Sequence, residues 1–533
     1  MNSLRSFLHA LAGLLLVVAT TATCAAQEYR NPVIRGMNPD PSVVRVGSEY
    51  FLVTSSFEYF PSCPVYHSFD LVHWERIGYA LNRPEQFAAL HDEHPSTYAC
   101  TLRYHEGTFY ALTTDVRGGG NFLVTTRNPA GPWSLPVPID KGMFDPSLFF
   151  DDDGKVYYTR RGPDPQHNIV QAEIDVATGK LKEPLRTISN GYVMDGAEGP
   201  HLYRIGSWYY LSLAEGGSRF LHMQTIGRSK SPWGPFQADP ANPWASQHIS
   251  WDYPVLTVGH CDLVDTPQHD WWTVCLGTRH YNSRHFSLGR ETFLFPVTWK
   301  DGWPSIRTSD MESLEVKHPT PTQHPFAAEP EQDDFSASAL GKDWNVLGPA
   351  GLQALSLTER PGFLRLHGKP ALSLAQTTAF AGRRQTEWNT VSTARLEFAP
   401  KATGEAAGLT VFMSPQYHYD LQKTWHDGKS VVQLVKQVSD MHEVTAEAEV
   451  EDGPVLLRVE STAESYRFSF APEGGPWKTL GTADERQIAS EIANVWSGMY
   501  IGMFALSPAG DDAAPADFDW FNYKAEAGDL HAK

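Results

Sequence analysis

The chain has 533 residues, 41% hydrophobic and 20% charged. That is a globular composition, too long for one ordinary core, so two large domains or a few small ones are expected. The formal charge of −19 repels phosphate backbones, which argues against nucleic acid and leaves a neutral polysaccharide open as a partner. Aromatic residues reach 12%, with 16 Trp; most belong in β cores, and the rest offer flat faces to sugar rings.

Residues 1–26 read as an export signal. Arg5 supplies the positive region, an apolar stretch runs from Phe7 to Val18, and small residues lead to Ala26. The stretch is short of the about 20 apolar residues a membrane span needs. A secreted or periplasmic protein follows. Ala22-Thr23-Cys24 leaves a lipoprotein anchor as the lesser option, because Thr21 stands where such signals carry Leu.

A weak repeat fills residues 30–300. Each unit is a turn followed by an aromatic strand: Gly47-Ser48-Glu49-Tyr50-Phe51, Gly107-Thr108-Phe109-Tyr110, Gly154-Lys155-Val156-Tyr157-Tyr158, Gly206-Ser207-Trp208-Tyr209-Tyr210 and His269-Asp270-Trp271-Trp272. From Tyr50 through Phe109, Tyr157 and Tyr209 to Trp271 the steps are 59, 48, 52 and 62 residues. Five β-rich copies at this period predict a five-bladed β-propeller over 29–316. Residues 317–331 carry Pro319, Pro321, Pro325 and Pro330, a semi-rigid linker composition. Residues 332–525 return to short strands, such as Leu364-Arg365-Leu366 and Leu456-Leu457-Arg458-Val459, and predict a β-sandwich of concanavalin A-like jelly-roll type. The fold class is all-β throughout.

Four cysteines follow the leader: Cys63, Cys100, Cys261 and Cys275. Their spacing shows no tight framework and no CxxC pair, so buried free thiols are expected and a metal site is not. No cofactor is required on this reading, with a structural Ca²⁺ left open. Oligomeric state is not readable.

A propeller directs the start of each innermost strand at a central funnel. Just upstream of the aromatic strands lie Asn38-Pro39-Asp40-Pro41-Ser42, Tyr98-Ala99-Cys100-Thr101-Leu102, Phe144-Asp145-Pro146-Ser147-Leu148, Glu198-Gly199-Pro200-His201-Leu202 and His260-Cys261-Asp262-Leu263-Val264. Asp40, Asp145 and Glu198 precede their markers by 10, 12 and 11 residues. One acid before a proline is ordinary turn chemistry; three at matching offsets predict convergence on one axis. Converging carboxyls suit glycoside hydrolysis, because one must hold a proton for the leaving oxygen while another acts on water or the anomeric carbon.

These motifs resemble glycoside hydrolase family 43, in particular its β-xylosidase and α-L-arabinofuranosidase members with a C-terminal sandwich. The likeness runs through Asn31-Pro32-Val33, Phe57-Glu58-Tyr59-Phe60-Pro61, His67 to Trp74, the three acidic motifs, Gly259-His260, Leu288-Gly289-Arg290-Glu291-Thr292 and Ala516-Asp517-Phe518-Asp519-Trp520-Phe521. The resemblance implies an inverting enzyme. Asp40 would be the general base, Glu198 the general acid, and Asp145 the residue that orients the acid and raises its pKa. His260, Arg290 and Phe57 would contact the terminal sugar. Many β-xylosidases of the family carry Trp-Ala-Pro-Asp where this chain has Tyr98-Ala99-Cys100-Thr101. Tyr98 still offers a ring for stacking, but the missing Asp leaves the preferred sugar open. The first reading is an exo-acting enzyme on terminal xylose or arabinose. The alternatives are an endo-arabinanase or arabinoxylan debranching enzyme and a non-catalytic sugar-binding propeller; a fructan-acting enzyme is disfavoured because Glu198 is followed by Gly199 where those carry Cys.

Overall fold

The computed structural model describes residues 28–526 apart from 91–93, 166, 248–249, 251, 281–284 and 509–513. The expected export signal and Cys24 lie outside the described residues. Among the described residues no helix is long and apolar enough to cross a membrane.

The first unit consists of five antiparallel sheets in chain order. Their first strands are Ser42–Val46, Thr101–His105, Ser147–Phe150, Glu198–Ile205 and Val255–Asp265. The aromatic repeat units form the second strands: Glu49–Val53, Thr108–Asp115, Val156–Arg161, Trp208–Glu215 and Trp271–Arg279. The repeat has a backbone cause. Gly47, Gly107, Gly154 and Gly206 hold φ of 65°, 79°, 81° and 60° at the turn between first and second strands, and His269 stands in that place in the fifth sheet at 67°. A glycine meets this left-handed requirement without a Cβ penalty.

The five first strands touch one another in sequence, and the fifth returns to the first. An apolar cluster fills each gap between neighbouring sheets, from Phe51, Leu102 and Phe109 between the first two round to Val43, Tyr50, Val274 and Leu294 between the last and the first. The chain ends of the unit reinforce this closure: Glu28–Arg30 pairs with Glu315–Lys317, and Tyr29 and Asn31 both donate to the Leu294 carbonyl, at 2.7 and 2.9 Å. Burying each large apolar side chain is worth roughly 1.5–3 kcal/mol. Packing across the seam therefore outweighs that short strand pair.

The second unit packs an eight-stranded sheet against a six-stranded one. Alternating residues of both, among them Leu396, Leu409, Val411, Leu457, Phe468, Met503 and Phe518, build one buried core. The units share a two-stranded ladder, Tyr59–Phe60 with Val346–Leu347, and Tyr59 stacks on Tyr500 with ring centroids 3.8 Å apart. The proline-rich segment is pinned to the first sheet: Phe69 stacks with Phe326, and the His324 amide donates to Asp70 at 2.6 Å.

The expectation of free thiols is overturned, since Cys63–Cys100 and Cys261–Cys275 are disulfides. The first joins segments of adjacent sheets and the second joins the paired strands of one hairpin. Both pairings arise from the fold, which is why sequence spacing did not reveal them.

Candidate active site

Four of the five predicted segments turn left-handed at or within the innermost strands, and Tyr98 to Leu102 is the one that does not. φ is 55° at Asp40, 61° at Asp145, 56° at Gly199 and 46° at His260. Proline follows Asp40, Asp145 and Gly199 alike, so Gly199 is the backbone counterpart of the two aspartates. Glu198 stands one residue earlier and carries one more methylene. Positive φ at a non-glycine residue costs of order 1–3 kcal/mol and persists where surrounding structure enforces it. Its recurrence at this entry marks a built site.

Asp40 is 5% exposed. Its carboxylate accepts hydrogen bonds from Ser55 Oγ at 2.5 Å and Arg290 Nη1 at 3.0 Å, and His260 Nδ1 lies 3.6 Å away. Burial alone would raise its pKa, but Arg290, His260 and the Ser55 hydroxyl outweigh that and hold it below its ordinary value. Asp145 accepts the Gly199 amide at 2.9 Å. Burial, then the carboxyls of Glu198 and Asp40, push Asp145 well above the usual aspartate range. Glu198 has Ser218 Oγ at 3.4 Å. Burial raises Glu198 to about 7, with Asp40 adding to the rise and Arg161 opposing it. Asp145 and Glu198 are thus neighbouring acids that resist joint ionisation. The site holds one carboxylate kept charged and one carboxyl kept protonated, the separation that acid and base roles require.

The predicted aromatic residues meet here too. Tyr98 stands edge-on to Phe57 at 5.5 Å and lies 5.5 Å from Phe144. The Arg290 guanidinium lies 5.4 Å from the Phe57 ring. His260 packs over Gly199, where a Cβ would come within 2.9 Å of the imidazole. Gly199 is therefore required both by its φ and by that ring. The fit fixes His260 beside Asp40, and burial lowers the pKa of His260.

Sequence reasoning missed three parts of the site. Trp496 reaches it from the sandwich: its carbonyl accepts Arg290 Nη2 at 3.4 Å, and its ring lies 5.8 Å from that guanidinium. Arg219, next to Ser218, lies 5.1 Å from the Trp496 ring and donates to Asn494 at 2.9 Å. One loop therefore serves both Glu198 and the second unit. The third part is a polar plug below the acids, with one contributor from each sheet. Arg103 donates to Asp262 at 2.9 Å, to Ser42 at 3.1 Å, to the Leu148 carbonyl at 3.2 Å and to His201 Nδ1 at 2.6 Å. Burial lowers His201 to about 3, so it is neutral and accepts through Nδ1. For Asp262 burial is outweighed by Arg103, which brings it to about 2. Among the described residues no group of three or more His, Cys, Asp or Glu is arranged to hold a metal ion.

Two carboxyls tuned apart, a third that couples to the acid, and an arginine and aromatic rings around them are the apparatus of a glycoside hydrolase. The profile described as glycosyl hydrolases family 43 matches residues 29–304, and that of the beta xylosidase C-terminal concanavalin A-like domain matches 332–524. A non-reducing end alpha-L-arabinofuranosidase of Bacteroides ovatus is 42% identical over 94% of this chain and 95% of its own. A xylan 1,3-beta-xylosidase of a Vibrio species is 34% identical over 93% and 98%. The crystal structure of xylan beta-1,4-xylosidase from Bacillus halodurans superposes with a TM-score of 0.87 at 33% identity, covering 93% of this chain and all of that one. The chain belongs to glycosyl hydrolases family 43, and it is a glycosidase.

Proposed function

We propose that this enzyme is an exo-acting, inverting glycosidase that releases terminal α-L-arabinofuranosyl or β-1,4-xylosyl residues from hemicellulose oligosaccharides. The observation that carries the reading is the divergence of Asp40 and Glu198, one held ionised by Arg290 and the other held protonated by burial. Glu198 donates its proton to the glycosidic oxygen as that bond breaks. Water attacks the anomeric carbon from the opposite side and loses a proton to Asp40. Asp145 accepts the amide beside Glu198, which orients the acid, and the two neighbouring carboxyls resist ionising together, which favours a proton on the acid. Arg290 and His260 hold Asp40 and offer hydrogen bonds to the terminal sugar, while Phe57 and Tyr98 form its apolar wall.

The relative named as a non-reducing end alpha-L-arabinofuranosidase is 42% identical, which supports arabinofuranosides as the first substrate to assay. Exo-action is supported by Trp496, whose carbonyl meets Arg290 and which closes the site on the sandwich side. The ring of five sheets supports a five-bladed propeller over 29–316, joined through 317–331 to a sandwich over 332–525. We read the apolar leader as an export signal of a secreted or periplasmic enzyme. Arg103 places a cationic group within the plug of all five sheets, which supports activity without a cofactor. Paired assays on aryl α-L-arabinofuranoside and aryl β-xyloside test the assignment. Turnover of the first at the higher rate is expected, and turnover of neither would refute it. Monosaccharide as the first product from an oligosaccharide distinguishes exo- from endo-action.

A further inference from the structure

Arg384 ends the strand Phe380–Arg384 of the sandwich, at the seam with the first unit, and is 4% exposed. Its Nε, Nη1 and Nη2 have no hydrogen-bond acceptor among the described residues. The groups that interact with it electrostatically are Tyr500, Arg76, Tyr79 and Tyr66, with Tyr59 and the carboxylate of Asp343. The tyrosine hydroxyls are engaged elsewhere: Tyr66 donates to Asn38 Oδ1 at 2.6 Å and Tyr79 to the Lys342 carbonyl at 2.7 Å, both accept from Arg76 at 3.3 Å, and Tyr500 donates to Asn345 Oδ1 at 3.1 Å. The hydroxyl of Tyr59, which stacks on Tyr500, is also buried without a partner. The ring of Tyr500, 5.7 Å from the guanidinium carbon, is the contact found for Arg384.

Charge at the seam is unbalanced. Arg76 and Arg383 share Asp343, at 3.2 and 2.6 Å. The exposed Glu329 of the linker interacts with those same two arginines. Arg384 draws on the same Asp343 without a hydrogen bond to it, so three guanidiniums face that one carboxylate and the exposed Glu329. Arginine does not lose its proton in proteins, and a buried cation that shares its counter-charge with two others and makes no hydrogen bond is unfavourable. A ring face at that distance recovers only part of the loss. Buried water could accept hydrogen bonds but would add no negative charge.

We propose that Arg384 holds a small inorganic anion, a halide such as chloride, sealed between the first sheet of the catalytic unit and the sandwich. Near-complete burial and the 3.8 Å stack of Tyr59 on Tyr500 favour a monatomic ion over a tetrahedral oxyanion. The ion would have a bearing on catalysis through the chain, because Tyr500 begins the strand that follows Trp496 and Ser497. Anchoring that strand steadies the loop that meets Arg290 and, through Ser497 Oγ at 2.6 Å, Glu58.

The test uses the whole protein dialysed into a bulky organic anion such as gluconate and titrated at constant ionic strength with chloride or bromide. A saturable rise in Tm of roughly 2–4 °C is expected with either halide, lost in Arg384→Met. Wild-type crystals soaked in bromide provide a second readout that does not depend on the variant folding. An anomalous peak within hydrogen-bond distance of the Arg384 guanidinium is expected. A Tm indifferent to halide, or ordered waters with no bromide at Arg384, would overturn the proposal.

Discussion

The amide of Gly199 donates a hydrogen bond of 2.9 Å to the carboxylate of Asp145. Gly199 directly follows Glu198, so an acid on the third sheet is tied to the peptide that carries an acid on the fourth. The link keeps two carboxyls together that electrostatics would drive apart.

Removing Glu198 should therefore cost most where the departing group needs a proton. Glu198→Gln is expected to lose at least about 100-fold in kcat on an alkyl or sugar leaving group. The loss should be much smaller on an aryl glycoside whose phenol is already acidic. Kinetics on two such substrates check this; an equal loss on both would assign Glu198 another role.

Asp40→Asn should behave differently, with a loss of at least about 100-fold whatever the leaving group, because water still needs a base. Far-ultraviolet circular dichroism should match the wild type. The deeper reason for the positions of both acids was partly legible in the sequence. The Gly-aromatic repeat and the offsets of Asp40, Asp145 and Glu198 reveal which residues converge, since the repeat tracks a left-handed turn and the strand after it. The one-residue displacement of Glu198 was not legible, because it depends on which residue takes positive φ. Trp496, Arg219 and both disulfides were hidden for another reason: each acts across a contact between segments distant in sequence, and no local pattern encodes that.

The pH dependence follows from the same groups. Activity should fall as pH rises through about 7, where Glu198 loses its proton, and persist on the acid side until Asp40 protonates below its ordinary value. Stability has a defined sign as well. Folded Glu198 binds its proton more tightly than the unfolded chain, so its contribution is fully present below the unfolded pKa, about 4.3, and is lost as pH rises to about 7. Glu198→Gln should then raise Tm relative to wild type more at pH 8 than at pH 4. Thermal melts at both values check this, and the opposite order would contradict a raised pKa.

Arg103→Met should destabilise without touching the sugar site directly. It leaves Asp262, whose side chain is 1% exposed, as a buried carboxylate without its cation. Breaking one partner of such a pair costs about 3–5 kcal/mol. Urea unfolding of the variant measures it, and a change under about 1 kcal/mol would show that the plug is not held by this charge pair.

The most direct measurement is proton NMR of the first turnovers on an aryl α-L-arabinofuranoside, with an aryl β-xyloside in parallel. Arabinose should appear first as its β-anomer, xylose as its α-anomer, with mutarotation following. Release of the anomer that matches the substrate would contradict water activated by Asp40 across from Glu198.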